Sequence, residues 1–149
     1  MKSAKENLFD TLVGRKILFL ENDNGLYHGL DDLEDFLKEK NLKYKCMFEV
    51  SETPWSKIKK AIDSSNVIVF QTQWVYEVSK KIKEYAFSLK TPKIFIEVPV
   101  GRDPSFYYKP EGIAHDIYFL RVGLFSDEDW QFYKLSNKPY WDYENKFDK

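Results

Sequence analysis

Residues 64–102 read SSNVIVFQTQWVYEVSKKIKEYAFSLKTPKIFIEVPVGR, and this stretch predicts the fold of the chain. Residues 67–70 form a continuous apolar run without alternation, as expected of a strand that is buried on both faces, and residues 94–96 form a second such run. Between the two runs, apolar residues recur at steps of three and four: Val75, Val78, Ile82, Tyr85 or Ala86, and Leu89. This spacing predicts an amphipathic helix that lies on a sheet. The three elements together predict a right-handed parallel crossover.

The alternation of strand and helix continues along the chain in both directions. Residues 16–20 form a further apolar run, and residues 26–37 carry leucines at helical spacing. The alternating residues 44–48 predict a second strand, nearer to an edge of the sheet. Thr53 and Pro54 predict the N-cap and the first position of the next helix.

The last third of the chain predicts one more strand and a short helix. Residues 117–120 form a fifth apolar strand, and Ser126 can cap a helix that runs to Leu135. We therefore predict an α/β fold that is doubly wound and flavodoxin-like, with a five-stranded parallel sheet of order 2-1-3-4-5 and helices on both faces. We expect a single domain over residues 1–149, with an aromatic C-terminal extension over about residues 124–149.

The composition excludes several classes of partner. With 23 basic and 24 acidic residues the formal net charge is −1, so we expect no nucleic acid partner. No apolar run approaches the length of a membrane span, so we expect no membrane partner. Cys46 is the only cysteine and lies in a predicted strand, where a buried, inert thiol is the simplest interpretation. A chain that cannot form an internal disulfide is typical of a reducing compartment, so we predict a cytoplasmic protein.

The predicted topology places polar residues at the carboxyl edge of the sheet, where open α/β sheets hold their ligands. In the order 2-1-3-4-5 the switch point lies between the first and third strands. The turns after these two strands are both polar, and the loop after the fourth strand can reach the same crevice. The candidate ligand-binding residues are Glu21, Asn22, Asp23, Gln71, Thr72, Trp74 and Arg102.

Common cofactor and catalytic motifs do not fit these residues. The turn ENDNG at residues 21–25 has one glycine and two carboxylates, which would repel a phosphate, so we expect no dinucleotide or flavin phosphate loop. Gln71 stands where a response-regulator receiver needs an Asp, and an amide cannot form an acyl phosphate. Glu21 and Asp23 alone are weak grounds for a metal site. His28 is a candidate general base, although a partly exposed place in the first turn of a helix is the simpler interpretation.

Residues 55–77 carry a resemblance to a known protein family. They read WSKIKKAIDSSNVIVFQTQWVYE, in which an amphipathic helix leads into a Ser-Ser-x-Val-Ile-Val strand, a loop, and a Trp-Val step with a Glu further on. A proline and another apolar strand follow at residues 91–96. This pattern resembles the Toll/interleukin receptor (TIR) domains. It is more closely similar to the bacterial and archaeal TIR-like domains of Thoeris-type antiviral defence, over residues 16–101.

The resemblance implies that Glu77 is a catalytic residue. In catalytic TIR domains the matching Glu helps to cleave NAD at the nicotinamide–ribose bond, where a carboxylate can stabilise an oxocarbenium-like transition state. NAD is then a substrate, and no cofactor is identified. A carboxylate in the first turn of a helix also interacts favourably with the helix dipole, which is a purely structural explanation of Glu77.

Two functions remain open on the sequence. One is a TIR-like signalling or defence domain that binds, and in the catalytic case cleaves, NAD or a related nucleotide at the switch point. The other is a catalytically silent TIR-like or pseudo-receiver module that acts by self-association or by docking a partner protein. The second is favoured by Gln71 and by a dense set of rings that are typical either of interfaces or of cover for their own sheet: Trp130, Tyr133, Tyr140, Trp141 and Tyr143.

Overall fold

A computed structural model describes residues 2–20, 28–47, 53–71, 81–82, 84–86, 88–98, 114–122 and 130–135, with the backbone alone at residues 28–30 and 71. In chain order the elements are α1 (Ala4–Leu12), β1 (Ile17–Leu20), α2 (His28–Glu39), β2 (Tyr44–Met47), α3 (Trp55–Asp63), β3 (Val67–Gln71), β4 (Ile94–Val98), β5 (Asp116–Arg121) and β6 (Gln131–Lys134). Residues 81–82, 84–86 and 88, which lie between β3 and β4, are also helical.

The sheet has six strands in the order β2-β1-β3-β4-β5-β6. The first five pair in parallel, and their order is the predicted 2-1-3-4-5. Residues 67–70 of β3 and 95–98 of β4 are buried without alternation, which confirms that these runs are strands covered on both faces. The α/β class and the parallel arrangement of these strands therefore follow from the apolar runs in the sequence.

The sixth strand corrects the sequence prediction, which placed a short helix from Ser126 to Leu135. Residues 131–134 instead form β6, which pairs with β5 in antiparallel orientation. The reason is that two adjacent rings are packed on opposite faces of the sheet, as only a strand allows. Phe132 stacks on Tyr118 with ring centroids 4.8 Å apart, and Tyr133 stacks on Phe119 at 5.1 Å. These cross-strand pairs outweigh the helical spacing of the local sequence.

Helix α1 lies near the N-terminus, where the sequence analysis assigned no element. Its start carries a capping box, in which the Glu6 N–H donates to the Ser3 Oγ and the Ser3 N–H donates to Glu6 Oε1, both at 3.1 Å. Leu8 and Leu12 are buried and hold the helix on the sheet. The capping box was visible in the sequence as Ser-Ala-Lys-Glu, but only packing makes a helix of this length stable.

Helix α3 begins one residue later than its proline and threonine predict. Pro54 is the N-cap rather than the first helical residue, since its carbonyl accepts from the Ile58 N–H at 3.3 Å. Thr53 was predicted as the N-cap and lies one position outside it. The fixed φ of Pro54 suits the entry to the helix in either place. Ile58, Ala61 and Ile62 are buried on the face that meets the sheet.

Helices cover both faces of the sheet, as predicted. On one face, which we call the α3 face, side chains of α3 and of the helical residues Ile82 and Ala86 pack against strand residues such as Leu18, Ile68 and Phe95. On the other face, which we call the α1 face, α1 and α2 pack against alternate residues of the same strands, such as Phe19 and Val69. Trp130 is buried in the α1 face, where its ring lies 5.6 Å from that of Phe36.

Cys46 lies in β2, as predicted, but it is partly exposed and not fully buried. Its Sγ is 3.3 Å from Glu34 Oε1, and the Tyr44 hydroxyl donates to Glu34 Oε2 at 3.4 Å. The Tyr44 ring also meets the edge of Phe19, with centroids 5.3 Å apart. Burial, followed by the Glu34 carboxylate, raises the pKa of Tyr44 to about 12.

This raised pKa predicts a loss of stability at high pH. The folded state holds the phenol proton more tightly than the unfolded state, so the contribution of Tyr44 is complete below pH 10 and is lost as the pH rises through about 12. Titration of selectively labelled tyrosine by NMR should place the Tyr44 transition near pH 12, and Glu34→Gln should lower it. Tyr44→Phe is the control that removes this part of the pH dependence of unfolding. A Tyr44 transition near pH 10 in the folded protein would contradict the prediction.

Candidate functional site

The candidate site lies at the carboxyl edge of the sheet, where β1 and β3 end side by side. Leu20 is the last residue of β1 and is in register with Phe70 of β3. The chain goes from β1 through α2 to β2 on one side, and from β3 to β4 on the other. The two connections therefore diverge at this point, which is the position of ligand sites in open parallel sheets.

The sequence-predicted site residues fall almost entirely outside the described ranges. Gln71 is the exception, since its backbone ends β3 in register with Val98 of β4, at the predicted place. The remaining residues, for which the predictions stand untested, are Glu21, Asn22, Asp23, Thr72, Trp74, Glu77 and Arg102. His28 is the first residue of α2, as expected for the first turn of a helix.

Glu97 is a residue at this edge that the sequence analysis missed. Its side chain is 0% exposed, although it is a carboxyl group in the middle of an apolar strand. It is in register with Phe70 of β3 and Phe119 of β5, and these two rings belong to the α3 face. A single acidic residue within the run IFIEV was the signal, because carboxyl groups are almost never fully buried in a strand without a specific reason.

Arg121 places a cation on the strand next to Glu97. It is the last residue of β5, and its guanidinium carbon lies 5.9 Å from the centroid of the Phe119 ring. Because side chains alternate along a strand, Arg121 shares the α3 face with Phe119 and Glu97. The carboxyl edge of this face thus carries an acidic and a basic residue on adjacent strands, with an aromatic residue in register with the acid.

A second group of buried polar residues lies at the opposite, amino edge of the sheet. The Lys93 ammonium donates to the carbonyls of Ser65 at 2.6 Å and Asp63 at 3.2 Å, which are the last carbonyls of α3 and its C-terminal turn. This arrangement suits a cation at a helix C-terminus. Burial lowers the pKa of Lys93, and the Asp63 carboxylate acts in the opposite direction. The ammonium therefore satisfies carbonyl groups at the C-terminus of α3 and links this helix to the start of β4.

His115 belongs to this amino-edge group, where the sequence showed no partner for it. It is 1% exposed, and its Nδ1 accepts from the Lys93 N–H at 3.0 Å. That bond leaves the ring proton on Nε2, which donates to the Leu89 carbonyl at 3.0 Å. The ring also meets the edge of Phe95, with centroids 5.3 Å apart. Both ring nitrogens are occupied far from the carboxyl edge, so the role of His115 is structural.

An open groove of about 420 Å³ lies at the amino edge, between α1 and the strands β4, β5 and β6. Its lining includes Asp116 and Lys134, whose charged atoms pair at 2.7 Å, and the stacked rings of Tyr118 and Phe132. The Asp116 carboxylate raises the pKa of Lys134. These charges are directed at each other, so they stabilise the junction of β5 and β6.

Metal and membrane sites were sought in the same part of the chain. Within the described ranges, no group of three or more His, Cys, Asp or Glu side chains could hold a metal ion. No helix among these residues is long and apolar enough to cross a membrane.

Comparison with known proteins gives no match: no protein-family model, no curated protein and no solved structure matches this chain.

The structural role of His115 can be tested by replacing it with phenylalanine. His115→Phe keeps the edge contact with Phe95 but leaves the Lys93 N–H and the Leu89 carbonyl without their partner. We expect the free energy of unfolding to fall by about 2 kcal/mol or more, measured by urea denaturation. His115→Gln is the matched control, because its amide offers one acceptor and donors, and should recover part of the loss. A His115→Phe protein as stable as the wild type would contradict this role.

Proposed function

We propose that this chain is a TIR-like signalling or defence domain that binds NAD or a related nucleotide at the crevice between β1 and β3 and cleaves its nicotinamide–ribose bond. The observation that carries the proposal is the strand order, because it reverses at β1 and β3, where open parallel sheets hold their ligands. The resemblance of residues 55–77 to TIR-like domains supplies the ligand and the reaction. The proposed pocket is lined by Glu21, Asn22, Asp23, Gln71, Thr72, Trp74 and Arg102.

Glu77 is the catalytic residue of this proposal. Its carboxylate holds the ribose hydroxyls and stabilises the positive charge that develops on the ribose as neutral nicotinamide leaves. Water then bonds to the ribose carbon and loses a proton, so that NAD gives nicotinamide and ADP-ribose. Residues 81–82, 84–86 and 88 are helical, which agrees with the resemblance, since TIR-like domains carry this Glu in the helix that follows the third strand.

The assay for this function is incubation of the purified chain with NAD, followed by chromatography for nicotinamide. We expect turnover by the wild type and a loss of about 100-fold or more in Glu77→Gln, which keeps the shape of the side chain but removes its charge. Glu84→Gln is the control, because Glu84 is an exposed carboxylate in the helical stretch that follows. Absence of turnover by the wild type, or equal turnover by Glu77→Gln, would refute the catalytic function.

A second function is supported by the end of β3. Gln71 is the last residue of this strand, and an amide there cannot act as a phosphoacceptor. A catalytically silent module that acts by self-association or partner docking is consistent with this residue. Trp130 and Tyr133 are not available as interface anchors for such a module, because Trp130 is 7% exposed and Tyr133 stacks on Phe119 within the chain. The association surface of this alternative is therefore confined to rings further along: Tyr140, Trp141 and Tyr143.

Self-association can be tested without disturbing β6. We expect the full chain to form dimers or larger species in light scattering, and the triple variant Tyr140→Ala, Trp141→Ala and Tyr143→Ala to be monomeric, because aromatic residues dominate interface energies. Val13→Ala is the control, since Val13 is an apolar side chain that is 48% exposed elsewhere on the surface. A full chain that stays monomeric at high concentration would remove self-association as the function.

A further inference from the structure

Strand β6 ends beside the open groove at the amino edge of the sheet. Because β6 is antiparallel to β5, its last residues lie at this edge, where the Leu135 N–H donates to the Ile117 carbonyl at 2.7 Å. Lys134, the residue before Leu135, lines the groove. The C-terminal segment, residues 136–149, therefore continues from a point at the rim of the groove.

The groove offers an aromatic surface to whatever enters it. Its lining includes the rings of Tyr118 and Phe132, which stack at an interplanar angle of 8° and are each half-buried. Their remaining surface is in water, and it is of the kind that a further aromatic side chain covers well. The volume of about 420 Å³ suits a few side chains rather than a whole folded partner.

The charges of the lining leave one cation over. Both carboxylates of the lining are already paired, Asp10 with Lys2 and Asp116 with Lys134. Among the described residues that line the groove, Arg15 is the cation that has no carboxylate partner, and its guanidinium donates to the Thr11 carbonyl. A guanidinium has five donors, so Arg15 can still bind a carboxylate.

The sequence of the C-terminal segment complements the groove in chemistry and in reach. Residues 136–139 read SNKP, which is typical of a turn and favours a reversal of the chain directly after β6. Residues 140–144 read YWDYE, three rings with two carboxylates among them. From Leu135 to Trp141 an extended chain spans up to about 20 Å. Phe132 lies only three residues back along β6, at about 10 Å from Leu135, so the rings of the segment reach the groove of their own chain.

We propose that the amino-edge groove is the docking site of residues 140–144 of the same chain, whose rings cover the stacked pair while Asp142 or Glu144 binds Arg15. Docking on the same chain is favoured over docking on a second copy, because the tether keeps the segment at a high effective concentration. The contact is autoinhibitory for association, since rings held in the groove cannot anchor a partner. The inference goes beyond the functions proposed above: it is independent of the nucleotide site, and it makes self-association through these rings depend on their release.

The first arm of the test measures how fast chymotrypsin cuts the full chain after residues 140, 141 and 143, with the products identified by mass. Cleavage requires the released segment, so its rate reports the released fraction. Arg15→Glu should raise the rate about threefold or more, because it replaces an attraction with a repulsion. Lys16→Glu is the matched control, an exposed cation one residue further on that does not line the groove, and it should leave the rate unchanged.

The second arm fills the groove from the wall that α1 forms. Asn7 is exposed and lines the groove, so Asn7→Trp places a large ring in the space of the segment and should raise the cleavage rate about tenfold. Val13→Trp is the control, because Val13 is 48% exposed and lies outside the lining. Rates in Arg15→Glu and Asn7→Trp equal to that of the wild type overturn the proposal.

The third arm exchanges the charges across the proposed contact. Arg15→Glu is combined with Asp142→Lys and Glu144→Lys, and the same two lysine substitutions are also made with Arg15 retained. In this cycle the effect of the new lysines on chymotrypsin itself cancels. We expect Arg15→Glu to lower the cleavage rate of the lysine-bearing segment, the reverse of its effect on the native segment. Additive effects overturn the pairing of Arg15 with the segment.

Protein concentration distinguishes docking on the same chain from docking on a second copy. We expect the cleavage rate constant of the wild type to be the same in dilute and concentrated solution, because the contact is intramolecular. A rate constant that falls as the chain is concentrated, together with a larger mass in light scattering, shows that the segment enters the groove of a second copy and overturns the proposal.

Discussion

The structure depends on the burial of β3 and β4 on both of their faces. A strand covered on one side alone would leave half of these side chains in water, so the sheet is stable only when helices pack on each side. Each fully buried Val, Ile, Leu or Phe contributes about 1.5–3 kcal/mol relative to an exposed position. The α3 face and the α1 face therefore form as two cores that share the same strands. Parallel pairing follows, because the connections that supply these helices return each strand in the same direction.

The two edges of the sheet differ in the surroundings of their buried polar side chains. At the amino edge, Lys93 and His115 bond to backbone groups at the end of α3 and before β4, so each buried polar atom has a fixed partner and the elements are locked together. At the carboxyl edge, the strand order reverses beside β1, and Glu97 and Arg121 lie on adjacent strands. The hydrogen bonds of the amino edge stabilise the fold, whereas the carboxyl edge is where doubly wound sheets bind their ligands.

The success and failure of the sequence prediction have particular physical causes. Residues 67–70 and 94–96 were predictable because a parallel strand buried on both faces has apolar residues at every position, which few other structures require. Strand β6 was not predictable, since the spacing of its aromatic residues also suits a short helix. The strand is favoured because its rings stack on Tyr118 and Phe119 of β5. Helix α1 had a capping box, but a local signal of this kind predicts a start and not the packing that stabilises the helix.

The sequence by itself determined the class of fold, the order of the five parallel strands and the edge at which to look for a site. These features follow from the period of the apolar residues and from general rules of connection between strands. Only the tertiary structure determined that β6 is a strand, that His115 has a structural role and that Glu97 is fully buried. Each of these depends on groups that lie far apart in the chain: His115 meets Lys93 across 22 residues, and Glu97 is enclosed by Phe70 and Phe119. No local sequence pattern predicts such contacts, because they form only when the strands pair in the folded sheet.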